Sequence, residues 1–431
     1  MKILIYTQAF APQVGGQETI VMLLARGLAS VPIAETEGPI EITVVTPTSA
    51  NGMDDSALPF RVVRRPRFLE ICRLFRETDI IHLAGSMIVP MILGRLLRKP
   101  VVIEHHGFQP ICPNGQLLYQ PTQSLCPGHF MAGRFDKCIK CNAERGKLSA
   151  VEMWFQTFPR RWLSQRVAVN VLPTKWLGSL LNLNRMETIV HGLPPSDVVQ
   201  VVSARPATPT FVFVGRLVST KGVRVLLEAT EQLKAKSLAF DVKIVGQGPD
   251  RQSLENLACQ LNIQEFVEFL GYVPPDPLAA ILSGAAAIVM PSIAGEVFGL
   301  SAAENMLNGK LVIASNLGSL AEVVGNAGMT FPAGNSAALS DLMAAVIEDP
   351  TRAEGIGLAA QKRIVGNFSL DRMVVEHVAL YRRVLSRGGN RNDYIKCRRV
   401  DGDRDLDLES PDGLKQPSSI RALRKQGKRS R

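Results

Sequence analysis

The chain has 431 residues, 46% of them hydrophobic and 20% charged, which bounds it to two or three globular domains with ordinary buried cores. No run approaches the ~18 uninterrupted apolar residues of a spanning helix, and MKILIYTQAF leads straight into a polar Pro/Gly loop, so it reads as a buried strand and not a signal peptide, with a cytoplasmic location expected. Net charge is +10, of which residues 387–431, with thirteen Lys/Arg against seven Asp/Glu, carry +6; without a nucleic-acid motif or interleaved aromatics this tail reads as a solvated, disordered appendage, and nucleic acid is not an expected partner.

Residues 2–7 read as a first strand, 8–18 as the loop after it and 19–28 as an apolar-periodic helix. Gly15 and Gly16 then precede a helix N-terminus, where a ligand can approach the backbone closely, although a glycine pair alone also serves ordinary turns. Strand-like runs at 40–47, 79–83 and 101–105, with helices between, predict a parallel, doubly wound sheet. Arg64, Arg65, Arg67, Arg73 and Arg76, then Arg95, Arg98 and Lys99, make this half basic. Such clusters are usually solvated faces, but they also suit an anionic membrane surface. Trp154, Phe155, Phe158, Arg160, Arg161 and Trp162 fit either a membrane interface or core packing. His105 and His106 end the 101–105 strand. A neutral imidazole there can donate to a sugar hydroxyl or a phosphate, the plain alternative being a packing residue.

An excursion at about 108–145, rich in Pro, Gly and polar residues, holds Cys112, Cys126, Cys138 and Cys141, the last two as Cys-x-x-Cys. A disulfide framework is not expected in a reducing cytosol. Four thiolates fit a structural zinc, with a first spacing wider than a standard ribbon and free thiols as the alternative. Cys72, Cys259 and Cys397 look unrelated.

Four prolines between 193 and 209 mark a linker, after which 210–214 restarts the strand–loop–helix pattern. Gly215 ends that strand, and Arg216 and Lys221 put two cations at the mouth of the following helix, where a guanidinium fork and an ammonium could neutralise a diphosphate leaving group. Gly246 and Gly248 follow a second strand, and 266–273 holds another strand and turn. Residues 285–290 read as a buried strand, 292–299 as a loop broken by Gly295 and Gly299, and the stretch from Leu300 as a helix stopping near Gly309. Glu296 therefore sits on the loop and Glu304 one turn into the helix, at the carboxyl end of a strand, where open α/β sheets bind ligands. First-turn amides beside two carboxylates suggest a ligand carrying both phosphate and hydroxyls, such as a nucleotide sugar.

EVFGLSAAE, with seven residues between Glu296 and Glu304, resembles the signature of the retaining glycosyltransferases of family 4, a large group with the GT-B fold. The resemblance spans most of residues 1 to about 386. It includes His106-Gly107, GRLVSTKG around Arg216 and Lys221, the GQGP turn, and the Gly318–Val324 turn, where Glu322 is expected to cap structure. Val297 stands where the family usually has Pro, and Asn305 where it usually has Ala; neither replaces a chemical group.

The resemblance implies two Rossmann-like doubly wound parallel-sheet domains facing a cleft. Residues 1–195 would bind the acceptor, 196–209 link, 210–368 bind the nucleotide sugar, and 369–386 return as a helix to the first domain. It implies retaining transfer from a UDP- or GDP-sugar to a glycan or lipid-linked acceptor in bacterial polysaccharide or cell-surface glycan synthesis, with no cofactor required for catalysis. His106 and Glu296 would be the catalytic contacts. Arg216 and Lys221 would hold the diphosphate and Glu304 accept from the ribose. Gly15, Gly16, Gly246, Gly248, Tyr272, Val273, Phe298, Gly299 and Leu300 would complete the donor pocket. A sugar-nucleotide epimerase or phosphorylase is the rival enzyme reading, and an inactive binding scaffold the non-enzymatic one. No pyridoxal-phosphate lysine motif supports a phosphorylase, and intact Arg216, Lys221, Glu296 and Glu304 argue against a scaffold.

Overall fold

The computed structural model describes residues 1–32, 38–195 and 208–388. In the first half β1 (Lys2–Tyr6), α1 (Gly16–Ala29), β2 (Glu41–Thr46), β3 (Arg61–Arg64), α2 (Phe68–Glu77), β4 (Ile80–Ala84), α3 (Ile88–Leu96) and β5 (Val101–Glu104) follow in turn. A hairpin of β6 (Leu118–Tyr119) and β7 (Ser124–Leu125), then α4 (Phe135–Cys141) and α5 (Lys147–Ser164), precede β8 (Val169–Leu172), α6 (Lys175–Leu181) and β9 (Met186–Thr188). The strands form one parallel sheet in the order β3-β2-β1-β4-β5-β8-β9.

The second half repeats the plan with β10 (Thr210–Val214), α7 (Val223–Lys234), β11 (Asp241–Val245), α8 (Arg251–Gln260), β12 (Val267–Gly271), α9 (Pro275–Ser283) and β13 (Ala287–Met290). It continues through α10 (Leu300–Leu307), β14 (Val312–Ser315), α11 (Gly318–Val324), β15 (Met329–Phe331), α12 (Ser336–Glu348), α13 (Pro350–Asn367) and α14 (Leu370–Gly388). Its parallel sheet runs β12-β11-β10-β13-β14-β15. Central strands such as β5 and β13 are buried along their whole length, as strands with helices on both faces must be; β13 reads as an unbroken apolar run (AIVM) for that reason, and β5 as one closed by Glu104 (VVIE). In each sheet the first strand lies centrally and the order reverses beside it, between β1 and β4 and between β10 and β13. The crevice that binds ligands in open α/β sheets forms at such reversals.

Two features differ from the expectation drawn from the sequence. Helix α1 begins at Gly16, not Thr19, with Gly15 as its N-cap, so the glycine pair is the helix start itself. Glu322 caps the other domain: its carboxylate accepts from the backbone amides of Lys175 and Trp176 (2.9 Å each), the first two amides of α6. Beside it the Thr174 and Ser319 hydroxyls lie 2.7 Å apart, so α11 and α6 close the two halves on one another. Helix α14 crosses back, with Met373, Val374, Val378, Tyr381 and Val384 inside the first-domain core. The expected linker at 196–209 lies outside the described residues except for Thr208 and Pro209, as does the tail beyond 388. Among the described residues no helix is long and apolar enough to cross a membrane.

Candidate active site

At the β10/β13 reversal the loop after β10 interlocks through its backbone with the loops after β13 and β11. Ile293 N–H donates to Thr220 O (2.9 Å) and Leu217 N–H to Gln247 O (2.9 Å). Two glycines permit this approach. A Cβ on Gly222 (φ +65°) would lie 2.0 Å from Pro291 O, and one on Gly246 (φ +135°) 1.9 Å from Gly215 O. Gly248 abuts Leu217 O in the same way.

This packing sets Lys221 Nζ 2.5 Å from Glu296 Oε1, which also accepts from Ser292 Oγ (2.8 Å). Burial alone would raise the Glu296 carboxyl, but the Lys221 charge and hydrogen bond, with the Ser292 hydroxyl, hold it below its usual range. The sequence assigned Lys221 to phosphate and Glu296 to sugar; in the structure the two also pair with each other, and among the described residues both hydrogen bonds fall on Oε1 of the carboxylate. Arg216 is exposed, its carbonyl accepting from the Val218 amide (3.0 Å), and its guanidinium makes no hydrogen bond or ion pair among the described residues. Gly299 (φ +96°) caps α10, and Glu304, one turn on, is partly buried, its carboxylate without a hydrogen-bond partner among the described residues; burial pushes that carboxyl up to about 7. Tyr272 is exposed, Val273 half-buried, and Phe298 buried against Phe368. Across the cleft, a Cβ on Gly16 would stand 4.0 Å from Leu300 Cδ2, so the starts of α1 and α10 face each other.

The first domain contributes a polar cluster that the sequence reading missed. Glu104, at the end of β5 and fully buried, accepts from His82 Nε2 (3.1 Å) and His191 Nε2 (3.0 Å), and the Tyr381 hydroxyl of α14 donates to His82 Nδ1 (2.8 Å). Burial would raise the Glu104 carboxyl; the hydrogen bonds from His191 and His82 hold it well below the usual range. His106 Nε2 and His377 Nε2 lie 3.8 and 4.0 Å from Glu104 Oε2, both without a hydrogen-bond partner. His106 stacks on His191 (5.3 Å, 23°), which meets Phe298 edge-on (5.0 Å), so the first-domain imidazoles touch the second-domain loop before α10. Burial lowers His106 to about 3, keeping it neutral near pH 7. His105 turns into the core instead, bonded to Asn170 Oδ1 (2.8 Å), and is held near 4 by burial. A charged residue closing an apolar strand (VVIE) and a histidine within another (IIHLA) were signals that buried partners exist.

Cys112, Cys126, Cys138 and Cys141, all free thiols, line a single cavity with His129 and Asn114. Helix α5 divides its aromatics: Trp154 packs against Phe135 and Phe158, whereas Phe155 and Trp162 are exposed.

Residues 199–363 match the family model of the group 1 glycosyl transferases. The chain is 29% identical over 181 residues to the 2-deoxystreptamine glucosyltransferase of Streptomyces kanamyceticus, which spans 42% of this chain and 46% of that protein. It is 30% identical to the phosphatidyl-myo-inositol mannosyltransferase of Mycobacterium leprae over 54% of this chain and 64% of that one. The chain thus spans less than two thirds of these relatives. Among solved structures, Anabaena Alr3699/HepE in complex with UDP superposes with a TM-score of 0.65 at 17% identity, covering 89% of this chain and all of that one. The sucrose-phosphate synthase (tll1590) of Thermosynechococcus elongatus does so at 0.64 and 18%, covering 90% and 99%. The architecture is therefore GT-B, two Rossmann-like domains about a cleft.

Proposed function

We propose that this chain is a retaining group 1 glycosyltransferase that moves a sugar from a UDP- or GDP-sugar to a glycan or lipid-linked acceptor in bacterial polysaccharide or cell-surface glycan synthesis. The observation that carries this reading is the gathering of Lys221, Glu296, Glu304 and the α10 N-terminus at the second-domain reversal, opposite His106 and the start of α1. Lys221 gives one N–H to Glu296 and has two left for the diphosphate, while Arg216 adds a fork; together they offset charge on the departing phosphate. The open oxygen of Glu296 orients a sugar hydroxyl, Glu304 accepts from the ribose, and neutral His106 donates to the transferred sugar. Leaving-group phosphate takes the acceptor proton, so no side-chain base and no catalytic metal or cofactor is required. Relatives named for glucosyl and mannosyl transfer, and a structural neighbour that holds UDP-glucose, support an activated-sugar donor.

Thermal shifts with a nucleotide-sugar panel identify the donor, and release of UDP or GDP on adding acceptor measures transfer. Arg216→Ala and Lys221→Ala should each slow turnover; near-wild-type kinetics in both would remove the site assignment. Donor binding with no release of UDP or GDP would leave an inactive scaffold.

The acceptor side suits a cytoplasmic enzyme peripheral to an anionic membrane. Neighbouring helices expose Phe68 and Leu69 on α2, Val89, Ile92 and Leu96 on α3, and Leu148, Val151, Phe155 and Trp162 on α5, beside exposed Arg67, Arg73, Arg95 and Arg98. Apolar side chains at helical spacing rimmed by cations dock on anionic headgroups. Cosedimentation with phosphatidylglycerol vesicles, lost in Phe155→Ser, supports this; equal recovery with neutral vesicles rejects it.

A further inference from the structure

We propose that Cys112, Cys126, Cys138 and Cys141 hold one zinc ion as four thiolates, a structural site that braces the first-domain wall of the cleft. Three separate segments bring these sulfurs to one cavity: the turn after β5, the residue that follows β7, and helix α4, where Cys138 and Cys141 sit three residues apart. The cavity, about 10 Å³, has room for one water-sized occupant.

Burial favours the neutral thiols, pushing Cys112 up to about 11 and Cys138 to about 12, so the anions depend on the bound cation and on nearby donors. Backbone amides of Gly115 and Leu117 hydrogen-bond Cys112 Sγ, and Cys141 Sγ receives the Gln120 amide (3.4 Å) and Asn114 Nδ2 (3.8 Å). His129, 8% exposed, lines the same cavity with a buried Nδ1 that has no partner. Lys137, on the same wall, offsets the net negative charge of a four-thiolate zinc.

Loading exchanges four S–H protons, released to solvent, for four Zn–S bonds. It displaces two weak thiol bonds, from Cys112 to Asn114 Oδ1 and from Cys141 to Leu118 O. Tetrahedral Zn–S bonds of about 2.3 Å draw sulfurs to roughly 3.8 Å of one another. No three of these sulfurs are mutually within 4.8 Å, so binding contracts the cavity. The imidazoles about Glu104 also lie within ligand reach of one another, but both oxygens of that carboxylate already accept hydrogen bonds.

The consequence reaches the cleft because Gln116 O, on the Cys112 turn, would be 3.4 Å from a Cβ on Gly295, and Val297 packs on the cluster that contains Cys112. The metal site stands whether or not the chain transfers sugar.

Elemental analysis of the full chain, purified under reducing conditions, should find about one zinc per molecule. Titration with p-hydroxymercuribenzoate should release it to pyridylazoresorcinol. Cys138→Ser and Cys141→Ser should each lower zinc content by about tenfold or more, while Cys259→Ser, exposed on α8, should leave it unchanged. Should those variants fail to fold, cobalt exchanged into the parent chain should show thiolate-to-metal charge-transfer absorption. Three results overturn the proposal: a metal-free native chain whose four thiols react freely with Ellman's reagent, iron in place of zinc, or zinc that the mercurial does not release.

Discussion

Lys221→Ala isolates the central ion pair. Glu296 is 7% exposed and Lys221 28%, so removing the ammonium leaves a carboxylate in the interior with only the Ser292 hydroxyl. Breaking a buried pair from one side typically costs about 3–5 kcal/mol; the partial exposure of Lys221 reduces this to about 2–4 kcal/mol. In the parent the Glu296 carboxyl is held below its ordinary value, so the pair contributes stability above the unfolded carboxylate range, which is lost as pH falls through the folded value. Without Lys221, burial dominates and the folded pKa rises above the unfolded one. The deficit is then full at high pH and shrinks on acidification as the carboxyl takes up a proton. At pH 8 the second-domain transition in differential scanning calorimetry should fall by roughly 5–15 °C, at about 2–4 °C per kcal/mol for a domain of this size. At pH 5 it should fall by less, and Lys221→Ala/Glu296→Gln should recover more than half of the loss. Transition temperatures are compared because a two-domain chain need not unfold in one step. An equal loss at both pH values, or a double variant no better than the single, would refute the reasoning.

Glu304 carries the opposite sign: its folded pKa is raised to about 7, so it costs stability from the unfolded carboxylate range upward, in full above about 7. Glu304→Gln should therefore gain on the parent between pH 5 and 8, by up to about 3 kcal/mol in urea unfolding; a pH-independent difference contradicts this. Glu104→Gln removes the anion that faces two imidazole donors in a fully buried site. It should cost about 3 kcal/mol or more, and a change under about 1 kcal/mol in thermal melts would show that the cluster does not need the charge. Gly246→Ala drives a Cβ to 1.9 Å from Gly215 O and should cost about 3 kcal/mol or more. Gly334→Ala, at φ +81° with open space around it, should cost only about 1 kcal/mol; similar values for the two would exclude steric contact as the cause.

Much of the fold was legible in local pattern. Apolar runs at 101–105 and 285–290, glycine breaks at 295 and 299, and the stop near Gly309 correspond to β5, β13, the α10 cap and the α10 end, because strand burial and turn chemistry are set by residues close in sequence. The start of α1 was displaced by three residues because glycine lacks helix propensity, yet Gly15 serves well as a cap. The glycines at 222 and 246 were readable as turns, but not the carbonyls they admit, which come from Pro291 and Gly215.

What the sequence determined by itself was two doubly wound halves and the residue types at the carboxyl ends of their strands. Only tertiary structure decided the pairings: Lys221 with Glu296 across 75 residues, Tyr381 with His82 across 299, and Glu322 with Lys175 at the start of α6 across 147. The reason is physical. Helix and strand periods repeat every few residues and leave their mark along the chain, whereas a buried charge finds its partner through strand order and helix docking, which bring together side chains that no local pattern relates.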